Sequence, residues 1–495
     1  MSAIGMEYSV EKVEKEKRIE IVWTVVLCAV MAVSMLLMWS LCADEGIDYD
    51  ESYSFKSARD YTLPGIVQKM IDDHDTDVPL YYCVLHVWIR LFGGIGHRFL
   101  AARLFSVAGA VASMLLGLIV VRRLWGNLTA LYFMIATGLA PAMLHVSVNI
   151  RMYSWTNFLV TASAVLAFCI VQNPRRKGLW GMFYGLTVAA LFSHYFTAFA
   201  YLAIYLYLLT ALFRHERKEL WKGFVCGIAS VIPLFVWAVV SGFFHFVKTD
   251  GGEVQLRAFD VEGLLDYLFA TDMRYWLVIG LIPVAAALLG GIFFVKNKEQ
   301  RSEKGFALTC VSSIYLLYAL ALFVTSFASH FFTPRHIMHA TGMMWLGIAI
   351  ILPRISRWVY LSGLAVLVSM CYSNYRGEYE LAYRDTPYLE DTKIFIAKQM
   401  QPGDIVIYTT DRMYSTLYSC YMPEQTFIQL GRVGDIDELA GKRVWFFSTD
   451  WRRYFTDEQV ETYNIYAENM GHYGFQIMDN CTDFDLLRLE IGGSK

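Results

Sequence analysis

The residues best suited to chemistry in this chain are Asp50 and Glu51, a carboxylate pair just after the first apolar segment, 21–41. Charge at membrane depth costs at least about 2.5 kcal/mol, so acids beside a span must stay hydrated or find partners. Asp72, Asp73, Asp75 and Asp77 follow in the same loop, with Asp44, Glu45 and Asp48 as local competitors. An ionised, hydrated carboxylate within hydrogen-bond reach of a hydroxyl can act as a general base. Cationic groups complement the acids. Arg151 lies in Asn149-Ile150-Arg151-Met152-Tyr153, between two apolar stretches. Its guanidinium matches phosphate oxygens with two parallel donors. His194 stands in Ser193-His194-Tyr195, while Arg335 and His336 belong to His330-Phe331-Phe332-Thr333-Pro334-Arg335-His336, with His339 one turn later. Two histidines and an arginine suit an anionic headgroup or a metal. No CxxC or HExxH spacing supports a metal site, and no cofactor is implied, although Asp72–Asp77 and the histidines leave a divalent metal open. Each feature also has a bland reading: solvated loop acids, an arginine that anchors topology, a histidine satisfied in the core.

These residues must be positioned by a membrane scaffold. The chain has 495 residues, 56% hydrophobic and only 18% charged, well below the quarter expected of a soluble globule. A net charge of −3 gives no reason to expect a nucleic-acid partner. The nine cysteines are scattered, mostly in or near apolar runs where thiols act as small hydrophobes. Segment 21–41 is too long for a cleavable leader's apolar core and reads as a retained span.

Residues 1–19 form a charged cytoplasmic segment, with Lys12, Lys15, Lys17 and Arg18 before the first span. Further apolar stretches lie near 99–121, 128–148, 153–171, 179–193, 196–213, 224–246, 275–295, 306–327, 337–352 and 358–372. Eleven spans put every basic loop inside: Arg122–Arg123, Arg175–Lys177, Arg214–Lys222, Lys296–Lys304 and Arg354/Arg357. The short aromatic segment 79–92 then lies on the outer interface; if it crosses, the total rises toward 13. This map gathers the Asp50 loop (43–97), Arg151, His194, Arg335 and His336 at one outer face. The fold class is therefore mainly α, a polytopic domain over 20–372. Residues 373–495 form a small extracytoplasmic α/β domain, with a helical pattern around Ile394 that ends at Gln401-Pro402-Gly403-Asp404, strands at 405–408, 444–448, 475–478 and 486–491, and a helix at 458–470. With neither a phosphate loop nor a nucleophile motif, this tail reads as a lid or docking module.

Several motifs are familiar. Tyr49-Asp50-Glu51-Ser52-Tyr53-Ser54 resembles the Asp-Glu element in the first outer loop of GT-C membrane glycosyltransferases, nearest the protein O-mannosyltransferases and lipid A aminoarabinose transferases. Asp77-Val78-Pro79-Leu80-Tyr81-Tyr82, then Arg90-Leu91-Phe92-Gly93 and Arg103-Leu104-Phe105-Ser106, is similar to that group's His-Pro-Pro-Leu-Tyr-Tyr, Leu-Phe-Gly and Arg-Leu-x-Ser series. Asn149-Ile150-Arg151-Met152-Tyr153-Ser154 resembles its Glu-Ala-Arg-Met-Tyr element, and Phe332-Thr333-Pro334-Arg335-His336 its late Pro-Arg-Tyr. Here Asp77-Val78 replaces the usual His-Pro. The resemblance implies an inverting transferase that uses a polyprenyl-phosphate sugar, with Asp50 as base and Glu51 beside it in the catalytic element. Arg151 and Arg335 would contact phosphate or orient the loop, and Arg59, Asp77, Tyr81, Tyr82, Tyr153, His194 and His336 would complete the substrate contacts.

The expected activity is glycosyl transfer at the outer face of the cytoplasmic membrane. Its partners would be a polyprenyl-phosphate donor, a protein, glycan or lipid acceptor, and membrane lipid. A transporter or flippase of a lipid-linked sugar is the rival, disfavoured because charges gather at span ends and no internal repeat is visible. A non-catalytic assembly protein would leave the outer acids and arginines unexplained.

Overall fold

Long apolar runs bounded by charged loops leave helices as the economical way to satisfy backbone groups in lipid, and helices dominate the computed structural model. It describes residues 3–43, 46–72, 77–242, 285–286, 288–290, 301–327, 334–384, 394–408, 419–429, 436–447, 455–477 and 480–492. Two compact units emerge. The first comprises Met1–Ser40, Thr62–Trp88 and Arg103–Arg376; the second comprises Leu41–Tyr61, Ile89–Ala102 and Gly377–Lys495.

The helices, in chain order, are α1 (Ala3–Cys42), α2 (Tyr49–Asp60), α3 (Leu63–Asp72), α4 (Leu80–Phe92) and α5 (Leu100–Leu116), which continues through a π-helical turn, Gly117–Val121, into α6 (Arg122–Trp125). Then come α7 (Asn127–Leu139), α8 (Met143–Val148), α9 (Tyr153–Gln172), α10 (Lys177–Leu191), α11 (Thr197–His215) and α12 (Leu220–Val240). The last helices of this part are α13 (Arg301–Phe327), α14 (Met338–Ile355) and α15 (Arg357–Arg384). Among the described residues, six helices are long and apolar enough to cross a membrane. The protein is a polytopic helical membrane protein.

In the first unit α14 is the central post, with every side chain from Met338 to Leu352 buried. Asn157 of α9 clamps it: its Nδ2 donates to Met338 O at 2.6 Å, and Gly342 N donates to its Oδ1 at 2.7 Å. A Cβ at position 342 would sit 2.1 Å from that Oδ1, so the clamp requires glycine there. Stretch 128–148, expected as one span, is two helices. Pro141 has no N–H and its ring crowds the carbonyl four residues earlier, so α7 stops at Leu139. Ala142 then takes φ +67° before α8 begins. Stretch 358–372 continues as helix to Arg384. Of 275–295, only 285–286 and 288–290 are described.

The second unit holds a five-stranded sheet, order β2-β1-β3-β5-β4, from β1 (Ile405–Tyr408), β2 (Thr426–Gln429), β3 (Val444–Phe447), β4 (Tyr466–Ile477) and β5 (Asn480–Glu490). β1 runs parallel to β2 and β3, while β5 is antiparallel to β3 and β4. Ile405, Ile407, Val444, Phe446, Leu487 and Leu489 form its core. β2 was not anticipated. The expected helix 458–470 is only α16 (Asp457–Thr462), opened by a Thr456–Gln459 capping box. Asn464 turns the chain with φ +48°, and pairing with β5 from Tyr466 onward overrides any helical preference.

Candidate active site

Asp50 is carried by α2 in the second unit. Asp48 is the N-cap: its carboxylate accepts from Glu51 N at 2.6 Å, and Glu51 Oε2 accepts from Asp48 N at 3.1 Å. This reciprocal box occupies the buried Glu51 carboxylate with helix initiation. Asp50 sits half-buried in the same first turn, where the positive helix end favours a carboxylate. The tail holds α2 in place. Phe55 meets Phe99 edge-on at 5.0 Å, and Phe99 meets Tyr421 at 5.5 Å. Ile47 N donates to Tyr421 Oη at 3.2 Å, Lys56 Nζ to Ser419 Oγ at 2.8 Å, and Arg98 to Cys420 O. Burial pushes the Cys420 thiol up to about 12. Arg59 turns to Asp60, with Nε 2.5 Å from Oδ1, and lies over the Phe55 ring at 5.1 Å. Burial opposes its charge, but Asp60 outweighs that and raises the Arg59 pKa.

The first unit brings together Asp77, Tyr82 and Arg151. Tyr82 Oη donates a short hydrogen bond to Asp77 Oδ2, and Arg151 Nη1 reaches Tyr82 Oη at 3.4 Å and Asp77 Oδ2 at 3.9 Å. The Arg151 and Asp77 side chains are only 9% and 15% exposed, so the pair is held away from bulk water. Leu80 N donates to Phe192 O at 3.1 Å, which fixes the start of α4 beside the end of α10. The Arg151 turn is anchored by hydroxyls: Ser106 Oγ donates to Asn149 O at 2.5 Å, and Ser154 Oγ to Ser106 O at 2.7 Å. Tyr81 is buried edge-to-face against Tyr82 at 5.5 Å. A buried arginine oriented by a carboxylate and a phenol can receive phosphate oxygens.

A second cluster forms where α9, α11 and α14 begin. His194 lies 4.4 Å from His339 and 5.1 Å from His336 between ring centroids, and Tyr153 lies 5.9 Å from His194 and 5.4 Å from His339. His336 stacks on Phe196 at 4.2 Å. Thr156 Oγ1 lies 3.0 Å from Tyr153 O and 2.8 Å from His339 Nδ1, so it links the histidine to the start of α9. His339 Nε2 is buried without a hydrogen-bond partner among the described residues. Phe196 N donates to His194 Nδ1 at 3.2 Å, which puts the proton of neutral His194 on Nε2.

Of the expected site residues, Asp50, Glu51 and Arg59 fall in the second unit, and Asp77, Tyr81, Tyr82, Arg151, Tyr153, His194 and His336 in the first. Arg335 gives its backbone to the 3-10 turn Pro334–Ile337, and its side chain lies outside the described residues, as do Asp73, Asp75 and His330. Asp72 accepts from Gln68 at 2.7 Å. Among the described residues no group of three or more His, Cys, Asp or Glu could hold a metal ion. Sequence reasoning missed Asn157 and Thr156, though polar residues inside an apolar span are themselves a signal.

The fold is one already seen. The chain superposes on crystal structures of ArnT, a lipid A aminoarabinose transferase, from Cupriavidus metallidurans, both in the apo state and bound to undecaprenyl phosphate. Each match has a TM-score of 0.56 at 13% identity and covers 94% of this chain, with 97% of the apo and 98% of the lipid-bound structure. An Archaeoglobus fulgidus oligosaccharyltransferase in complex with Zn and sulfate aligns more loosely, at TM-score 0.48 and 12% identity over 92% of this chain and 72% of its own. No protein-family model and no curated protein sequence matches. The chain thus has the fold seen in the ArnT structures.

Proposed function

We propose that this protein is an inverting glycosyltransferase that moves a sugar from a polyprenyl phosphate to an acceptor hydroxyl at the outer face of the cytoplasmic membrane. The observation that most supports this is the buried Arg151, oriented by Tyr82 and Asp77, in a fold that in the Cupriavidus enzyme takes undecaprenyl phosphate. In this reading the Asp50 carboxylate takes the acceptor's hydroxyl proton. The acceptor oxygen attacks the anomeric carbon opposite the phosphate, the bond from that carbon to the phosphate oxygen breaks, and polyprenyl phosphate leaves with the electron pair. Arg151 meets the charge that develops on that leaving group. Glu51 caps the helix that carries the base. Tyr153, His194, His336 and Arg335 are further candidates for substrate contact, and the tail domain is extracytoplasmic, as the basic-loop pattern suggests.

The test is release of polyprenyl phosphate and formation of glycosylated product from a panel of radiolabelled polyprenyl-phosphate sugars, using purified wild type and Asp50→Asn. Transfer by wild type and none by a folded Asp50→Asn is the expected result. Full transfer by the variant refutes Asp50 as base, and no release by wild type from any donor refutes the transferase reading.

A further inference from the structure

Beside Glu20 of α1 the first unit contains a cavity of about 430 Å³, lined by Glu20, Leu118, Ile119, Arg122, Arg123, Gly126 and Asn127. Its wall is the π-helical turn Gly117–Val121, an irregularity often associated with functional sites. The two arginines there do different work. Arg122 is spent on structure: Nε donates to Asn127 Oδ1 at 2.7 Å, Nη1 to Thr24 Oγ1 at 2.8 Å, and Nη2 to Glu20 O at 3.0 Å and Glu20 Oε2 at 2.5 Å. Those bonds tie α1 to α6 and α7, and they neutralise the cavity's one carboxylate. Arg123 is exposed and has no ion-pair partner among the described residues, so it is the uncompensated charge of the cavity. The apolar part of the lining is Leu118 and Ile119, and Ile119 is 48% exposed.

We propose that this cavity binds a phosphate group through Arg123, and that its apolar wall favours the headgroup of an anionic phospholipid over free phosphate as the source. Lys15, Lys17 and Arg18 on the preceding turns of α1 are interleaved with Glu14, Glu16 and Glu20, so Arg123 itself, and not a general positive field, is the cation this site depends on. The site does not depend on the transferase reading.

The full-length protein, purified in detergent, is exchanged against phosphatidylglycerol or phosphatidylcholine and the lipids it retains are counted by native mass spectrometry. Wild type should retain phosphatidylglycerol preferentially. Arg123→Gln should weaken that retention about fivefold, the effect of one basic side chain against an anionic surface. Arg214→Gln, an exposed cation at the end of α11, should not change it. A parallel arm adds millimolar inorganic phosphate: no displacement assigns the site to lipid, and Arg123-dependent displacement assigns it to a soluble phosphate. Equal retention of the two lipids with no Arg123-dependent phosphate effect overturns the site, as does an equal loss in both variants.

Discussion

If Asp77 serves to orient Arg151, the two residues must act as one unit, and a double-mutant cycle exposes that. Arg151 Nη1 and Asp77 Oδ2 are 3.9 Å apart, which at an effective dielectric near 20 is about 4 kcal/mol of gross attraction. Desolvation of two mostly buried groups cancels a large share, leaving about 2 kcal/mol of orientation. Asp77→Asn should therefore lower kcat/KM for the donor about thirtyfold, at about 1.4 kcal/mol per tenfold. Arg151→Gln removes both the oriented pair and its contact with the leaving phosphate, so it should cost at least tenfold more. The double variant should be no worse than Arg151→Gln alone, because an aspartate that acts through an arginine has nothing to lose once the arginine is gone. The assay is polyprenyl phosphate release at several donor concentrations, with thermal melting to confirm that all three variants fold. Losses that simply add in the double variant would refute the coupling and give Asp77 a separate role.

Two further outcomes follow from the second unit. Glu51→Gln keeps an acceptor oxygen for the capping box and should melt close to wild type, whereas Glu51→Ala should lose about 1 kcal/mol of stability, read by thermal melting; abolished transfer in a stable Glu51→Gln would restore that carboxylate to the chemistry. Cys420, with its thiol pushed to about 12 from 9.0, should resist maleimide at pH 8 until the protein is unfolded, and rapid labelling of the native chain would contradict its burial. The sign of the linked effect is fixed: above pH 9 the unfolded thiol ionises while the folded one stays protonated, so the second unit loses up to about 1.4 kcal/mol of stability per pH unit until about 12.

Much of the membrane scaffold is legible because an apolar run in lipid has few alternatives to a helix. The break at Pro141 was also there to be read, since a proline inside an apolar stretch removes a helical donor, but hydropathy alone runs straight through it. The capping box was visible as well, since Asp48 precedes Glu51 by three residues, the spacing at which a carboxylate closes a helix start. Arg151 was found because an arginine beside a span stands out against its surroundings. Its partner Tyr82 was found only by resemblance, because the pairing joins residues 69 apart and no local pattern encodes it. The tail was harder. β2 is four residues long, and β4 begins where a one-residue left-handed turn ends a short helix, so tertiary pairing decides what propensity leaves open.

The mounting of α2 has a consequence for how such a protein can change over time. A chain cut after residue 376 would keep every motif that looks catalytic in the sequence, yet it would lose Ser419, Cys420 and Tyr421, against which Lys56, Arg98, Ile47 and Phe99 are fixed. Trading the tail for another would therefore not leave a working core with a new attachment. Any replacement sheet would have to rebuild the seat of the Asp50 helix, so the terminal domain and the first loop are bound to diversify as a single heritable piece.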